Sequence, residues 1–91
     1  MTRWAPCTLV WEPTAAAALD ALAKRDPRLA ERLHTALGDY ALTGRGDVRP
    51  LHGQPGLRLR IGDWRVIFEL DPGRREVVVL TLAHRRDVYR R

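Results

Sequence analysis

Cysteine and long apolar stretches are scarce in this chain of 91 residues. Cys7 is the only cysteine, so neither an intramolecular disulfide nor a cysteine-based zinc site can form. No apolar run approaches the length of a membrane span. Pro6 and Pro13 also interrupt the segment where a signal peptide needs an unbroken apolar run. These absences predict a protein of the reducing cytoplasm with no membrane partner.

Acidic residues are outnumbered in the second half of the chain. Residues 1–43 carry no net charge, whereas residues 44–91 hold eleven arginines against six carboxylates and account for the whole formal charge of +5. A basic half of this kind indicates a polyanion or an acidic protein as partner. A solvated basic face would explain the net charge equally well.

Two helices are predicted in the first half. Thr14 is a plausible cap for an alanine-rich helix that ends near Lys24. Asp26 followed by Pro27 is a second start signal, an N-cap with proline at the first helical position. From there apolar residues recur at helical spacing, and the helix is expected to end near Leu42.

Four strands are predicted around these helices. Cys7–Trp11 is a short β-branched and aromatic run, and residues 43–56 read as a loop because glycine and proline are frequent there. Residues 57–70 predict a hairpin, and the continuous apolar run from Glu76 to Ala83 predicts a buried strand. The expected fold is therefore one α+β domain over residues 1–91, ordered β-α-α-β-β-β, with a helical hairpin on a mostly antiparallel four-stranded sheet.

The dipeptide Gly62-Asp63 predicts the register of the hairpin. A two-residue turn there places Arg60 opposite Arg65 and Arg58 opposite Ile67. The three arginines then share one face, and the other face is the core face, with Leu59, Ile61, Trp64, Val66 and Phe68.

The pairing of Arg60 with Arg65 indicates an anion site. Like charges at opposed sheet positions are destabilising, whereas a favourable pair contributes roughly 0.2–1 kcal/mol. A fold that accepts this repulsion beside Arg58 has a surface suited to an anion. The alternative is internal neutralisation by Glu69, which lies on the same face, or by an acidic loop.

The terminal run after the last strand combines His84, Arg85, Arg86 and Tyr89. Histidine supplies a titratable base or acid, because its unperturbed pKa of about 6.5 suits proton transfer near neutrality. The arginines supply a phosphate clamp, and the tyrosine an aromatic contact. A histidine that only terminates the strand is the alternative for His84.

These residues resemble the RelE/ParE toxin superfamily, and specifically its RelE-type messenger-RNA interferases. The likeness is densest in LHGQPGLRLRIGDWRVIFEL (Leu51–Leu70), a loop, a basic strand, a glycine turn and an aromatic-Arg-Val-Ile strand. VVVLTLAHRRDVY (Val77–Tyr89) is similar to the family's last strand and its basic ending with tyrosine, and CTLVWEPTAAAALDAL to its opening strand and helix. The resemblance covers nearly the whole chain.

The resemblance implies a toxin that cleaves messenger RNA, usually in the ribosomal A site, without a metal or other cofactor. In such enzymes the ribose 2′-hydroxyl attacks the adjacent phosphate. Arg65 falls on the family's catalytic arginine, Arg85 on its second arginine, and Tyr89 on a tyrosine that positions the nucleotide. Some members carry lysines where this chain has Arg58 and Arg60. Arginine cannot readily act as a base, so His84 is the expected one, with Glu69 as the reserve.

The remaining site residue is Arg86, which we expect to contact RNA together with Arg58 and Arg60. The resemblance also implies a cognate RelB-like antitoxin as partner. A surface with this charge should attract an acidic, partly disordered segment that folds on binding.

Two other functions remain open at this point. A ParE-type toxin shares the fold but inhibits DNA gyrase without cutting nucleic acid. A non-catalytic RNA-binding module would bind phosphates through its arginines, and its affinity would fall steeply with salt.

Overall fold

The computed structural model describes residues 3–88, which form five strands and three helices. The strands make one sheet, and the two long helices pack against one face of it. The sheet has the order β1-β5-β4-β3-β2, in which β1 and β5 are parallel and every other neighbouring pair is antiparallel. No helix in this range is long and apolar enough to cross a membrane. The elements are β1 (Thr8–Trp11), α1 (Pro13–Arg25), α2 (Pro27–Thr43), β2 (Asp47–Pro50), β3 (Leu57–Ile61), β4 (Trp64–Asp71), β5 (Glu76–His84) and α3 (Arg85–Val88).

The prediction of four strands is wrong, because the segment expected to be a loop contains β2. This strand pairs with β3 at the edge of the sheet. Val48 packs against the hydrophobic core and gives the short strand an inward side chain. Pro50 is tolerated because an edge strand leaves one row of backbone N–H groups without a partner strand. The α+β class and the helical hairpin are confirmed.

The ends of α2 follow the signals in the sequence. The Asp26 carboxylate accepts a hydrogen bond from the Leu29 N–H at 3.1 Å, and Pro27 occupies the first helical position. At the other end Gly44 adopts a left-handed φ of 75°, and its N–H donates to the Tyr40 carbonyl. The predicted cap of α1 is wrong, because that helix already begins at Pro13 after Glu12, one residue before Thr14.

The core lies between the sheet and the two long helices. Phe68 is fully buried at the centre of this core. Its ring packs edge to face with the ring of Tyr40, and the two ring centroids are 5.1 Å apart. Burial, with a smaller contribution from Cys7, raises the pKa of the Tyr40 hydroxyl. The buried residues come from both layers: Ala15, Leu22, Ala30, Leu33, Leu37, Tyr40, Ala41, Leu59, Ile61, Val66, Phe68, Val77, Val79 and Leu82.

A bulge in β5 decides which way the end of that strand faces. Ile67 pairs with Thr81 but the next residue, Phe68, pairs with Val79, so β5 contains one extra residue at this point. Val79 and Leu82 are three positions apart and are nevertheless both buried in the core. Before the bulge the odd-numbered residues Val77 and Val79 face the core, whereas after it the even-numbered Leu82 does.

Candidate anion-binding site

The predicted hairpin register is confirmed, and it places a group of arginines on the face of the sheet away from α1 and α2. Arg60 lies opposite Arg65, and Arg58 opposite Ile67. The added strand β2 extends the group, since Arg49 pairs with Arg58 and Asp47 with Arg60. Together these side chains line a cavity of about 250 Å³, here called the arginine cavity: Asp47, Arg49, Arg58, Arg60 and Arg65.

Arg65 is the most constrained of these arginines. Only 7% of it is exposed, and its Nη1 donates to the carbonyl oxygens of Gly62 and Trp64, both at 3.1 Å. Arg60 donates from Nε to the same Gly62 oxygen at 3.4 Å. The hairpin turn thus holds both guanidinium groups of the opposed pair. Because Arg65 is also buried, its position is set before any ligand arrives.

The charges in the arginine cavity are only partly balanced. Its lining has four arginines and one carboxylate, that of Asp47. Asp47 lies 3.9 Å from the Nε of Arg49, and both side chains are largely exposed. Glu69, the alternative source of neutralising charge, is exposed and forms no ion pair within residues 3–88. The excess of positive charge fits an anionic ligand, and guanidinium groups suit phosphate because they donate two parallel hydrogen bonds.

The terminal run follows β5 in the chain and contacts the same hairpin turn, but it lines a separate cavity. The backbone N–H of Arg85 donates to the Asp63 carbonyl at 2.7 Å, and the Arg85 Nη1 lies 3.8 Å from the Asp63 carboxylate. This cavity, of about 640 Å³, is lined by Asp63, His84, Arg85 and Arg86, none of which lines the arginine cavity. Gly62 therefore holds Arg60 and Arg65 of the arginine cavity, and its neighbour Asp63 holds Arg85 of the other cavity.

His84 lies on the face of the sheet opposite to the arginines. It pairs with Trp64, and the two rings meet edge to face with centroids 5.6 Å apart. The bulge in β5 causes this orientation, because it is Ala83 that lies opposite Arg65. The His84 Nδ1 accepts the N–H of Arg86 at 3.3 Å, which leaves the proton of a neutral ring on Nε2.

The predicted site residues thus fall into two groups. The arginine cavity brings together Arg58, Arg60 and Arg65, and the second cavity holds His84, Arg85 and Arg86. Tyr89 lies outside the described residues. The other histidines belong to neither cavity: His52 is exposed in a loop, and His34 stacks on Trp11 with ring planes only 2° apart.

Two lining residues of the arginine cavity, Asp47 and Arg49, were missed by the sequence analysis. Both belong to β2, which was predicted to be a loop. The signal was present but short: Val48 between two charged residues is a period-two pattern over only three positions. Within residues 3–88 the structure contains no cluster of three or more residues that could hold a metal ion.

Comparison with known proteins points to one family. Residues 9–89 match the family model described as the ParE toxin of type II toxin–antitoxin systems, parDE. A search of curated proteins gives no significant match.

Solved structures of toxin–antitoxin proteins share the fold. The RelBE2 toxin–antitoxin complex of Mycobacterium tuberculosis contains a chain that is 25% identical with a TM-score of 0.75, and the alignment covers 90% of this chain and 94% of that one. The RelE–RelB complex of Pyrococcus horikoshii gives 22% identity and a TM-score of 0.70, covering 89% and 97%. A YoeB/ParE toxin from Agrobacterium tumefaciens is 17% identical with a TM-score of 0.70, and the alignment covers 85% of this chain and 96% of that one. The last two likenesses concern the fold alone.

The family match spans most of the chain, and the fold agrees with it in the helical hairpin and the mostly antiparallel sheet. The protein belongs to the ParE toxin family of type II toxin–antitoxin systems, within the RelE/ParE superfamily.

Proposed function

We propose that the protein is a metal-independent endoribonuclease that cleaves messenger RNA in the cytoplasm, with the ribosomal A site as the place of cleavage. The observation that carries this proposal is the opposed pair Arg60 and Arg65, held on one carbonyl oxygen beside a cavity with excess positive charge. A fold that accepts this repulsion is suited to bind the scissile phosphate.

The proposed reaction needs positive charge where the phosphate becomes more negative. Attack by the 2′-hydroxyl generates a phosphorane-like transition state, and donors fixed in advance stabilise it without reorganising during the reaction. Arg65 is such a donor, because its burial and its two carbonyl partners fix the guanidinium. Arg58 and Arg60 line the same cavity and would bind the phosphates of the substrate.

The terminal run would complete the site when RNA is bound. Arg85 would add a second charge to the phosphate, Arg86 would contact the RNA backbone, and Tyr89 would position a base. Asp63 supports this role for Arg85, since it holds the start of α3 against the turn that also anchors Arg65.

The partner of this toxin would be a RelB-like antitoxin with an acidic segment. Several structural neighbours are toxin–antitoxin complexes, among them the RelE–RelB complex of Pyrococcus horikoshii. An acidic segment fits the excess positive charge of the arginine cavity and would exclude RNA from it.

A second candidate function is inhibition of DNA gyrase without nuclease activity. Two observations favour it: the family model that matches is described as a ParE toxin, and His84 lies on the opposite side of the sheet from the arginines. A nuclease whose base cannot reach the substrate would lose the contribution of that base to the rate, about 10²–10⁴-fold.

Cleavage mapping separates the two functions. We expect primer extension on message from translating ribosomes to show cuts that depend on the protein, and the same message without ribosomes to show fewer. Intact message, together with gyrase-dependent breaks in plasmid DNA, would instead assign the protein to the gyrase inhibitors.

Replacement of His84 tests its predicted proton transfer. If His84 is the base or acid, His84→Gln should lower the single-turnover cleavage rate by about 10²–10⁴-fold, the usual contribution of a positioned acid or base. His34→Gln is the matched control, because His34 lines neither cavity. An unchanged rate for His84→Gln would leave His84 with only its packing against Trp64.

A further inference from the structure

We infer that Asp47 is the proton acceptor for the attacking 2′-hydroxyl. The inference rests on the proposed nuclease function and adds to it a catalytic residue on β2. Asp47 lines the arginine cavity and lies opposite Arg60, so its carboxylate is on the same side of the sheet as Arg65.

The chemistry of the cavity selects Asp47. The other lining residues are Arg49, Arg58, Arg60 and Arg65. An arginine stays protonated in proteins and offers only donors, so none of the four can accept a proton. The carboxylate of Asp47 is the remaining lining group, and an ionised carboxylate has acceptor sites on both oxygens.

The carboxylate of Asp47 is also available. Its side chain is 51% exposed, and the 3.9 Å separation from the Arg49 Nε is longer than a hydrogen bond. Within residues 3–88 no hydrogen bond to this carboxylate is formed, whereas Asp26 and Asp71 both use theirs to hold backbone N–H groups. Its lone pairs can therefore accept a hydroxyl proton without breaking a contact that supports the fold.

The position of His84 strengthens the inference. The bulge in β5 leaves His84 against Trp64 on the core side of the sheet, and its Nδ1 already accepts a hydrogen bond. A phosphate bound by Arg65 would thus have Asp47 on its own side of the sheet and His84 on the other.

The step balances without any further reactant. The 2′-hydroxyl proton passes to the Asp47 carboxylate as the 2′-oxygen forms a bond to phosphorus. The bond from phosphorus to the 5′-oxygen breaks, and that oxygen takes a proton from water. The products are a 2′,3′-cyclic phosphate and a free 5′-hydroxyl, and the protonated Asp47 returns its proton to solvent.

Asp47 could instead only balance the charge of the arginines, and the two roles predict opposite results for Asp47→Asn. A charge-balancing carboxylate competes with the phosphate, so its removal would tighten RNA binding and leave the single-turnover rate equal or higher. A base contributes to the rate, so its removal should lower the single-turnover rate by about 10²–10⁴-fold while RNA affinity stays equal or rises. Asp47→Glu should recover part of the rate, because it restores a carboxylate.

The experiment compares single-turnover cleavage and RNA affinity in the intact protein and three variants. Asp20→Asn, an exposed change of the same charge on α1, is the control and should match the unchanged protein. Thermal unfolding of each variant verifies that the fold is kept. Cleavage by Asp47→Asn at the full rate would overturn the role of Asp47 alone, whereas no cleavage by the unchanged protein would overturn the nuclease and this inference together.

Discussion

Arg65→Ala should reduce single-turnover cleavage of ribosome-bound message by about 10²–10³-fold, the loss seen when one fixed donor to a developing oxyanion is removed. The physical reason is the preorganisation of this side chain, which is buried and anchored through Nη1 to the carbonyls of Gly62 and Trp64. Arg60, its opposed partner, cannot substitute fully, because it is exposed.

Two further variants make this test specific. Arg74→Ala removes an exposed arginine of the β4–β5 turn, carries the same change of charge, and should cleave at the unchanged rate. Arg65→Lys keeps the charge but loses the planar guanidinium group. Its cleavage rate should lie between that of the alanine variant and that of the unchanged protein. If Arg65→Ala and Arg74→Ala cleaved equally well, the proposed role of the arginine cavity would be wrong.

Phe68→Ala should lower the free energy of unfolding by about 3–5 kcal/mol, the usual cost of truncating a buried aromatic residue. Phe68 is fully buried, and its ring contacts the edge of Tyr40 on α2. The variant therefore removes the contact between sheet and helix at the centre of the core. For a domain of this size, that loss is a large part of the whole stability.

Urea denaturation followed by tryptophan fluorescence measures this effect. Leu42→Ala is the matched control, since 61% of Leu42 is exposed and exposed substitutions usually change stability by no more than about 0.5 kcal/mol. Equal midpoints for the two variants would show that the layer of helices is not held by the core around Phe68.

The hairpin of β3 and β4 was predictable from local residues. Gly62 has a φ of 61°, the left-handed conformation that a two-residue turn requires and that glycine adopts without strain. Once the turn is placed, the strict alternation of Leu59, Arg60 and Ile61 sets the register, because a slip by one residue would bury the arginine. The pairing of Arg60 with Arg65 follows from these local facts alone.

The strand β2 was not predictable with the same certainty. It has only four residues, lies between glycine- and proline-rich segments, and depends on pairing with β3 across the irregular loop that joins them. With β2 assigned to a loop, Asp47 and Arg49 had no place in the arginine cavity, so the one carboxylate of that cavity was overlooked.

The sequence by itself determined the fold class, the two-helix hairpin, the register of the β3–β4 hairpin and the arginines that share its polar face. Each of these depends on turn chemistry, capping or alternation among neighbouring residues. Only the tertiary structure decided the side on which His84 lies. The run VVVLTLA is apolar at nearly every position, so its alternation cannot show that β5 gains a residue opposite Ile67 and Phe68. The bulge becomes visible only in the pairing of β5 with β4, and it separates His84 from the arginines.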